Sequence, residues 1–286
     1  MRDVLKNGGL ENIGISILTW RSPKTLASTL KNLKRVLPIN QFGDAFVFAQ
    51  ELNHEDKKVA NENGFRIEGN SKNIGIMGGM KEAILRSRME IILYLECDCL
   101  ILEDSSTSSN LVSLSAQSLR SKRLDVMNLR HLRNPGKDFD LSKFKNYWPL
   151  ENDSFLERSI KFFKRMIRPT KANKLIGHSC LVHDRADKYF PNDITLDCCF
   201  YELSSKNLNW TNQSIMVRKN WMLDTIFPFA ESNSTSRRDN GFPNLERELN
   251  CSWWRRQKFR IGWANPGLFT HQRLDRPEGD DKAFQE

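Results

Sequence analysis

What this chain lacks narrows its class before any motif is read. Nowhere do 18 apolar residues follow one another, so no transmembrane helix is expected. The stretch Met1 to Asn12 is polar and carries no apolar segment of the signal-peptide kind, so export is not expected either. The glycosylation-type triplets at Asn209, Asn212, Asn233 and Asn250 then read as chance matches. Six cysteines in 286 residues are too few for a disulfide scaffold, and no Cys-x-x-Cys pair suggests a zinc ribbon. Cys97 and Cys99 with the vicinal pair Cys198 and Cys199 make a four-thiolate set in principle. Alternating cysteines inside apolar segments are more often small core residues. The expected compartment is reducing, the cytoplasm. Internal repeats, a P-loop and the dinucleotide fingerprint are all missing from the sequence.

What is there describes a soluble globular chain, 39% hydrophobic and 28% charged. Its length suits one large α/β domain, or one domain with an appendage. The net charge of +9 and the pI near 9.3 call for an anionic partner. A nucleotide diphosphate, a phosphorylated glycan, an anionic membrane surface and nucleic acid all qualify.

The stretch Ile91 to Leu102 organises the rest. Five apolar residues, Ile91 to Leu95, meet Glu96-Cys97-Asp98, and apolar residues resume at Cys99-Leu100. Such a short run reads as a buried strand. An unpaired buried carboxylate is very costly, so the strand is expected to end here, at the carboxyl edge of a parallel sheet where open α/β sheets bind ligands. Two carboxylates there suit a hard divalent cation on a diphosphate. A solvated acidic turn, continued by Glu103 and Asp104, is the plainer alternative.

Ahead of that stretch, Ile13–Trp20 reads as a strand and Lys24–Val36 as a helix, with Ser22 as N-cap and Pro23 at its first position. Ala45–Ala49 is the next strand, ending at Gln50-Glu51; Asp56–Asn63 is a short helix and Phe65–Glu68 a third strand. The glycine-containing loop Asn73–Gly79 precedes a helix from Met80 to Arg88. As a phosphate cradle it is weak, since it fits no phosphate motif. Residues 1–104 therefore form a β-α-β-α-β-loop-α-β nucleotide-binding half, and 105–286 a second half with a basic C-terminal segment.

In the second half, Leu111–Leu119 reads as a helix, Asp125–Leu129 as a strand and Arg133–Asn152 as a loop. Phe155–Arg168 is an amphipathic helix with a basic polar face. It either lies on an anionic membrane surface or packs on the domain with its cations in water. Leu175–His183 is strand-like; His178 either faces a bound substrate or is a satisfied internal histidine. Ile194–Leu203 reads as the start of a helix with Asp197 in or before its first turn, where a carboxylate favours the helix dipole. Trp210–Trp221 reads as a strand and 231–250 as a mobile loop. The tail from Cys251 to Arg273 interleaves arginines with tryptophans, a pattern also used to grip single-stranded nucleic acid.

Three features in order, Leu18-Thr-Trp-Arg-Ser-Pro23, Asn73-Ile-Gly75 and the strand ending Glu96-Cys97-Asp98, resemble the GT-A glycosyltransferases of the family 2 type. The likeness is good over residues 13–104 and loose beyond. It implies a GT-A, Rossmann-like single domain with a central, mostly parallel sheet flanked by helices. It also implies a nucleotide-sugar donor and Mn²⁺ or Mg²⁺ on its diphosphate. Asp98 would be the direct metal ligand, with Glu96 near the ribose or a metal-bound water; Glu96 stands where the family usually has Asp. Thr19, Trp20 and Arg21 would line the donor pocket with Glu51, Asn73 and Gly75. Pro266–His271 looks like the family's late segment that offers a further metal ligand, here His271, and a neutral imidazole suits Mn²⁺ beside carboxylates.

Inverting members carry an acid at a helix start in the acceptor half. Asp197 best matches it, with Asp193 and Glu202 as fallbacks, and His178 as an acceptor contact. Arg255, Arg256 or Lys258 would neutralise the leaving diphosphate. The activity implied is hexosyl or pentosyl transfer to a hydroxyl of a glycan or glycolipid. A nucleotidyltransferase acting on a sugar phosphate is the alternative, but the loop after the first strand has no glycine. A nucleic-acid binder is disfavoured because the basic residues are spread along the chain.

Overall fold

The apolar run Ile13–Leu18 and its counterpart Ile91–Leu95 pair side by side in parallel, Ile13 opposite Ile91 and Leu18 opposite Glu96. A computed structural model, describing residues 9–136 and 139–275, builds the molecule outward from this pair. The strands are β1 (Ile13–Trp20), β2 (Asp44–Gln50), β3 (Arg66–Asn70), β4 (Ile91–Glu96), β5 (Cys99–Ile101) and β6 (Val126–Asn128). They continue as β7 (Ile194–Asp197), β8 (Phe200–Ser204), β9 (Ile215–Arg218), β10 (Arg260–Ala264) and β11 (Phe269–His271). Nine form one sheet, ordered β3-β2-β1-β4-β9-β6-β10-β8-β7, while β5 and β11 form a small antiparallel pair. Only β9 and β8 run against the common direction. The expected architecture, a mostly parallel central sheet with helices on its faces, is what the chain adopts.

Because alternate residues of a strand face opposite ways, the sheet carries two cores. Ile13, Ile15 and Ile17 pack with Leu26, Leu30 and Leu33 of the helix Pro23–Val36 on one face. Phe46, Phe48 and Tyr94 pack with Met77, Met80 and Ile84 of the helix Gly75–Arg86 on the other. Burying side chains of this size contributes roughly 1.5–3 kcal/mol each.

Several local expectations are corrected. The helix after Asn73 starts at Gly75 rather than Met80. The segment read as a loop over 133–152 contains a helix, Phe139–Tyr147. Leu175–His183 is no strand but a 3-10 turn, Ile176–Leu181. Ile194–Leu203 is a hairpin, β7 to β8, turning at Cys198 with φ +55°. Of Trp210–Trp221 only Ile215–Arg218 is extended, and a helix begins at Lys219. Within 231–250 lie a bridge between Asp239 and Phe242 and a short helix, Leu245–Leu249. Glu248, with its side chain fully buried, anchors this segment by accepting from the Thr235 amide at 2.7 Å.

The four-thiolate set does not form. Cys99 is buried beside Ser214, whereas Cys198 and Cys199 sit in the hairpin at the far edge of the sheet; all six cysteines are free. Among the described residues no helix is long and apolar enough to cross a membrane.

Candidate active site

The strand β4 ends where its acids begin, and the chain turns through Cys97-Asp98 into β5. This is the carboxyl edge of the sheet. Here β1, β2 and β4 deliver Thr19, Trp20, Gln50, Glu96 and Asp98 to one cavity of about 350 Å³. The loop before Gly75 closes one side. The Asn73 carboxamide oxygen accepts from the Gly75 amide at 2.8 Å, and the Gln50 carboxamide accepts from the Ile74 amide at 2.7 Å. Gly75 needs to be glycine twice over: φ is +76°, and an added Cβ would stand 2.3 Å from Cβ of Phe242. Phe242 belongs to the segment 239–244, which also lines the cavity and packs against this loop.

Other expected donor residues sit at the rim. Glu51 accepts from the Trp20 indole N–H at 3.1 Å and pairs with Arg21. The indole bond first, and Arg21 after it, holds the Glu51 carboxyl below the usual carboxylate range. Neither Arg21 nor Glu51 lines the cavity; they orient Trp20, which does.

At the base, burial and the neighbouring Asp98 charge push the Glu96 carboxyl well above its ordinary range. Burial would do the same to Asp98, but the His271 hydrogen bond and the Arg273 guanidinium outweigh it and hold Asp98 low. His271 Nδ1 is 3.2 Å from Asp98 Oδ1, and Arg273 donates to Oδ2 at 2.6 Å. The strand β11 brings both there by pairing with β5, His271 opposite Cys99. One residue further, the tail crosses the N-terminus of the helix Pro23–Val36. Ser22 stands at its N-cap position, but the Ser22 hydroxyl donates to Trp20 O, and the Thr25 amide is capped instead by Asp275 at 2.7 Å.

Asp98, Cys99 and His271 present ligand atoms that all lie within 4.8 Å of one another. Cys99 offers a soft sulfur that matches a hard cation poorly, and its Sγ already accepts from the Ser214 hydroxyl at 3.4 Å. The remaining donors fit a divalent cation. His271 Nε2 is buried with no hydrogen-bond partner among the described residues, and oxygen with imidazole nitrogen suits Mn²⁺.

A second cavity, of about 650 Å³, lies beyond the segment 235–247 and contains His178, Asn209, Lys174 and Glu246. The two cavities share this wall: Asp239 lines the first, Arg247 the second, and the two side chains form an ion pair. Glu246 sits in the first turn of the helix Leu245–Leu249, whose N-cap Asn244 accepts from the Glu246 amide at 2.9 Å. Burial raises the Glu246 carboxyl above its ordinary range, against the Asn212 amide that donates to it at 2.9 Å. Its charge reaches Glu96.

The structure thus gathers Thr19, Trp20, Asn73, Gly75, Glu96, Asp98 and His271 around the first cavity and its base, and puts His178 in the second. It does not bring Asp197 or Arg255 to either. Asp197 ends an edge strand five positions from β4, about 24 Å away at ~4.8 Å per strand, and is paired with Arg123. The fallback Glu202 shares Arg123, and Asp193 accepts from Asn207. Arg255 lies on the helix Ser252–Gln257, outside both cavities. The cation found beside the acid pair is Arg273, which pairs with Asp98. Glu246 was not among the expected site residues; the signal it offered was Asn244, a readable N-cap two residues before it.

No protein-family model and no curated protein matches the sequence. Solved structures do match. One is S. aureus TarS residues 1–349, with 14% identity, 91% of this chain and 60% of that chain covered, and a TM-score of 0.48. The same protein in complex with UDP-GlcNAc gives 12% identity, 93% and 59% coverage and a TM-score of 0.48. The mannosyltransferase PcManGT from Pyrobaculum calidifontis, in complex with GDP-Man and Mn²⁺, gives 12% identity, 41% and 34% coverage and a TM-score of 0.34. The chain spans between about a third and three fifths of the length of these proteins.

Proposed function

We propose that the chain is a metal-dependent, inverting glycosyltransferase of GT-A type that moves a sugar from a nucleotide-sugar donor to a hydroxyl of a glycan or glycolipid. The observation that carries this reading is the acid pair Glu96 and Asp98 at the carboxyl edge of the sheet, in one cavity with Thr19, Trp20 and Asn73 and with His271 folded back onto Asp98. Asp98 and His271 are the residues that would hold Mn²⁺ or Mg²⁺, with Glu96 beside them. Such an ion supplies positive charge against a departing diphosphate. Arg273 already places one fixed cation at the same spot, and fixed charges aimed at developing negative charge are effective in a sheltered site. Trp20, held by Glu51, offers a flat face to a base.

The proton of the attacking hydroxyl needs an acceptor. Glu246 takes that role in this reading in place of Asp197. Its carboxyl is poised above the ordinary range, it opens into the second cavity, and it stands within electrostatic reach of Glu96. His178 lines the same cavity on the acceptor side.

The reading includes a cytoplasmic enzyme with a peripheral contact to an anionic membrane. The helix Phe155–Ile167 supports this, since none of its residues is buried and Phe155 and Ile167 are 86% and 76% exposed. Nucleic acid has no part in it.

The test is thermal stability against a panel of nucleotide diphosphates and nucleotide sugars, with and without Mn²⁺. A ligand at a hundredfold its Kd stabilises by about 2.7 kcal/mol. The expected result is a metal-dependent shift for one nucleotide that is lost in Asp98→Ala. If no nucleotide stabilises the protein under any condition, the reading fails.

A further inference from the structure

The second cavity carries more positive charge than a neutral sugar requires. Arg130, Lys143, Lys174, Arg237 and Arg247 line it, against the carboxylates of Asp140 and Glu246. Two of these cations are already spoken for: Lys143 pairs with Asp140 at 2.7 Å and Arg247 with Asp239. Lys174 and Arg237 are different. Neither side chain makes an ion pair or hydrogen bond among the described residues. Lys174 is half-buried, and its ammonium is pressed below the usual range by burial; the Asp140 charge opposes this, and Arg255, Lys143 and Lys171 add to it. A cation held in that setting is most stable with an anion beside it.

A second observation points the same way and adds a hydroxyl. Asn209 is 9% exposed and lines the cavity. Its amide N–H donates to Asp140 at 2.6 Å, but its carboxamide oxygen has no partner among the described residues. A buried acceptor without a donor costs about 1–3 kcal/mol, a cost that a ligand hydroxyl would remove. Trp210 and Trp263 line the same space, and about 650 Å³ is of the size of a small-molecule site.

We infer that this cavity is the acceptor subsite and that it takes a hydroxyl-bearing sugar or polyol carrying a phosphate, the hydroxyl on Asn209 and the phosphate between Lys174 and Arg237. The inference rests on the glycosyltransferase reading for the word acceptor. The binding chemistry stands on the cavity alone. Glu246 lines the same cavity.

The test is calorimetric titration of the full chain with glucose 6-phosphate, glucose and inorganic phosphate, in wild type, Lys174→Gln, Arg237→Gln and Asp98→Ala. Glucose 6-phosphate is expected to bind at least tenfold more tightly than either glucose or phosphate. Each cavity variant should weaken it about tenfold, the scale of one charge-assisted hydrogen bond, while Asp98→Ala leaves it unchanged. Arg237 is exposed, so its variant folds even if the half-buried Lys174 variant does not. Equal binding of glucose and its phosphate overturns the anionic subsite. Phosphate alone binding as tightly overturns the hydroxyl contact, and loss in Asp98→Ala moves the ligand to the donor cavity and overturns the assignment. Nucleotide binding, measured on the same samples, reports separately: its absence removes the enzymatic reading while a positive phosphosugar result keeps the site.

Discussion

Three glycines give a controlled measure of how tightly the segment 235–247 is held over the first cavity. Gly64 has φ +81° and open space around an added Cβ; Gly75 has φ +76° and Phe242 Cβ at 2.3 Å; Gly78 has ordinary φ and its nearest neighbour, Ile74, at 3.3 Å. Alanine at Gly64 then pays only the left-handed conformation, about 1–2 kcal/mol. Alanine at Gly78, inside a helix, should be neutral or gain up to about 0.5–1 kcal/mol. Alanine at Gly75 incurs the conformational cost and must also displace Phe242 by more than an ångström, an overpacking cost of about 1–3 kcal/mol. The sum is roughly 2–5 kcal/mol, the largest of the three. Urea denaturation of each variant reads these differences, the midpoint falling without a change in slope. Because Phe242 moves with the wall that carries Asp239 and Asn244, Gly75→Ala should also weaken nucleotide binding, which Gly64→Ala should not. If Gly75→Ala costs no more than Gly64→Ala, the wall is not packed against this loop and the closed donor cavity is wrong.

Three further outcomes follow. Glu246→Gln should lower kcat by about a hundredfold or more with little effect on nucleotide affinity, in a single-turnover assay of sugar transfer. The same variant has a stability signature: the folded-state pKa of Glu246 is raised, so its ionisation weakens the fold as pH climbs above the unfolded value of 4.5. Glu246→Gln should therefore match wild type near pH 4 and become the more stable form as pH rises through the raised value; a pH-independent difference would refute it. Finally, Phe163→Asp on the exposed face of the helix Phe155–Ile167 should abolish sedimentation with vesicles rich in phosphatidylserine and leave the melting temperature unchanged. Equal sedimentation of both forms rules out that face.

What could be read from the sequence is what local patterns encode. The strands β1, β2 and β4 are short β-branched or aromatic runs, each bounded by polar residues, and a buried strand has little else it can be. Glu96 and Asp98 marked the strand end because a core excludes carboxylates. The hairpin β7–β8 escaped because Leu196, Cys199 or Phe200 and Leu203 fall at helical spacing, while the turn at Cys198-Cys199 lacks the glycine or asparagine that usually announces a left-handed residue. That one misreading moved Asp197 into the site on paper; in the fold it stands opposite Arg123, a partner 74 residues away that no local pattern discloses.

The site residues that were missed share a different cause. Arg273 and Asp275 act on Asp98 and Thr25 across 175 and 250 residues, and contacts of that span are set by topology rather than by spacing. Glu246 is the instructive case between the two. Its helix is only Leu245–Leu249, too short to show a period, yet Asn244 caps it and Glu248 anchors it from within. A polar, Asn- and Arg-rich segment looked mobile because its composition is that of a loop. The fold holds it instead by the buried Glu248, the Asn244 N-cap, the Asp239–Arg247 ion pair, the fully buried Leu245 and Leu249, and the close approach of Phe242 to Gly75. A wall held at these points presents Glu246 in a fixed place, with the Asn212 amide donating to its carboxylate at 2.9 Å. The two cavities meet across that wall, so its packing sets how the first stands to the second.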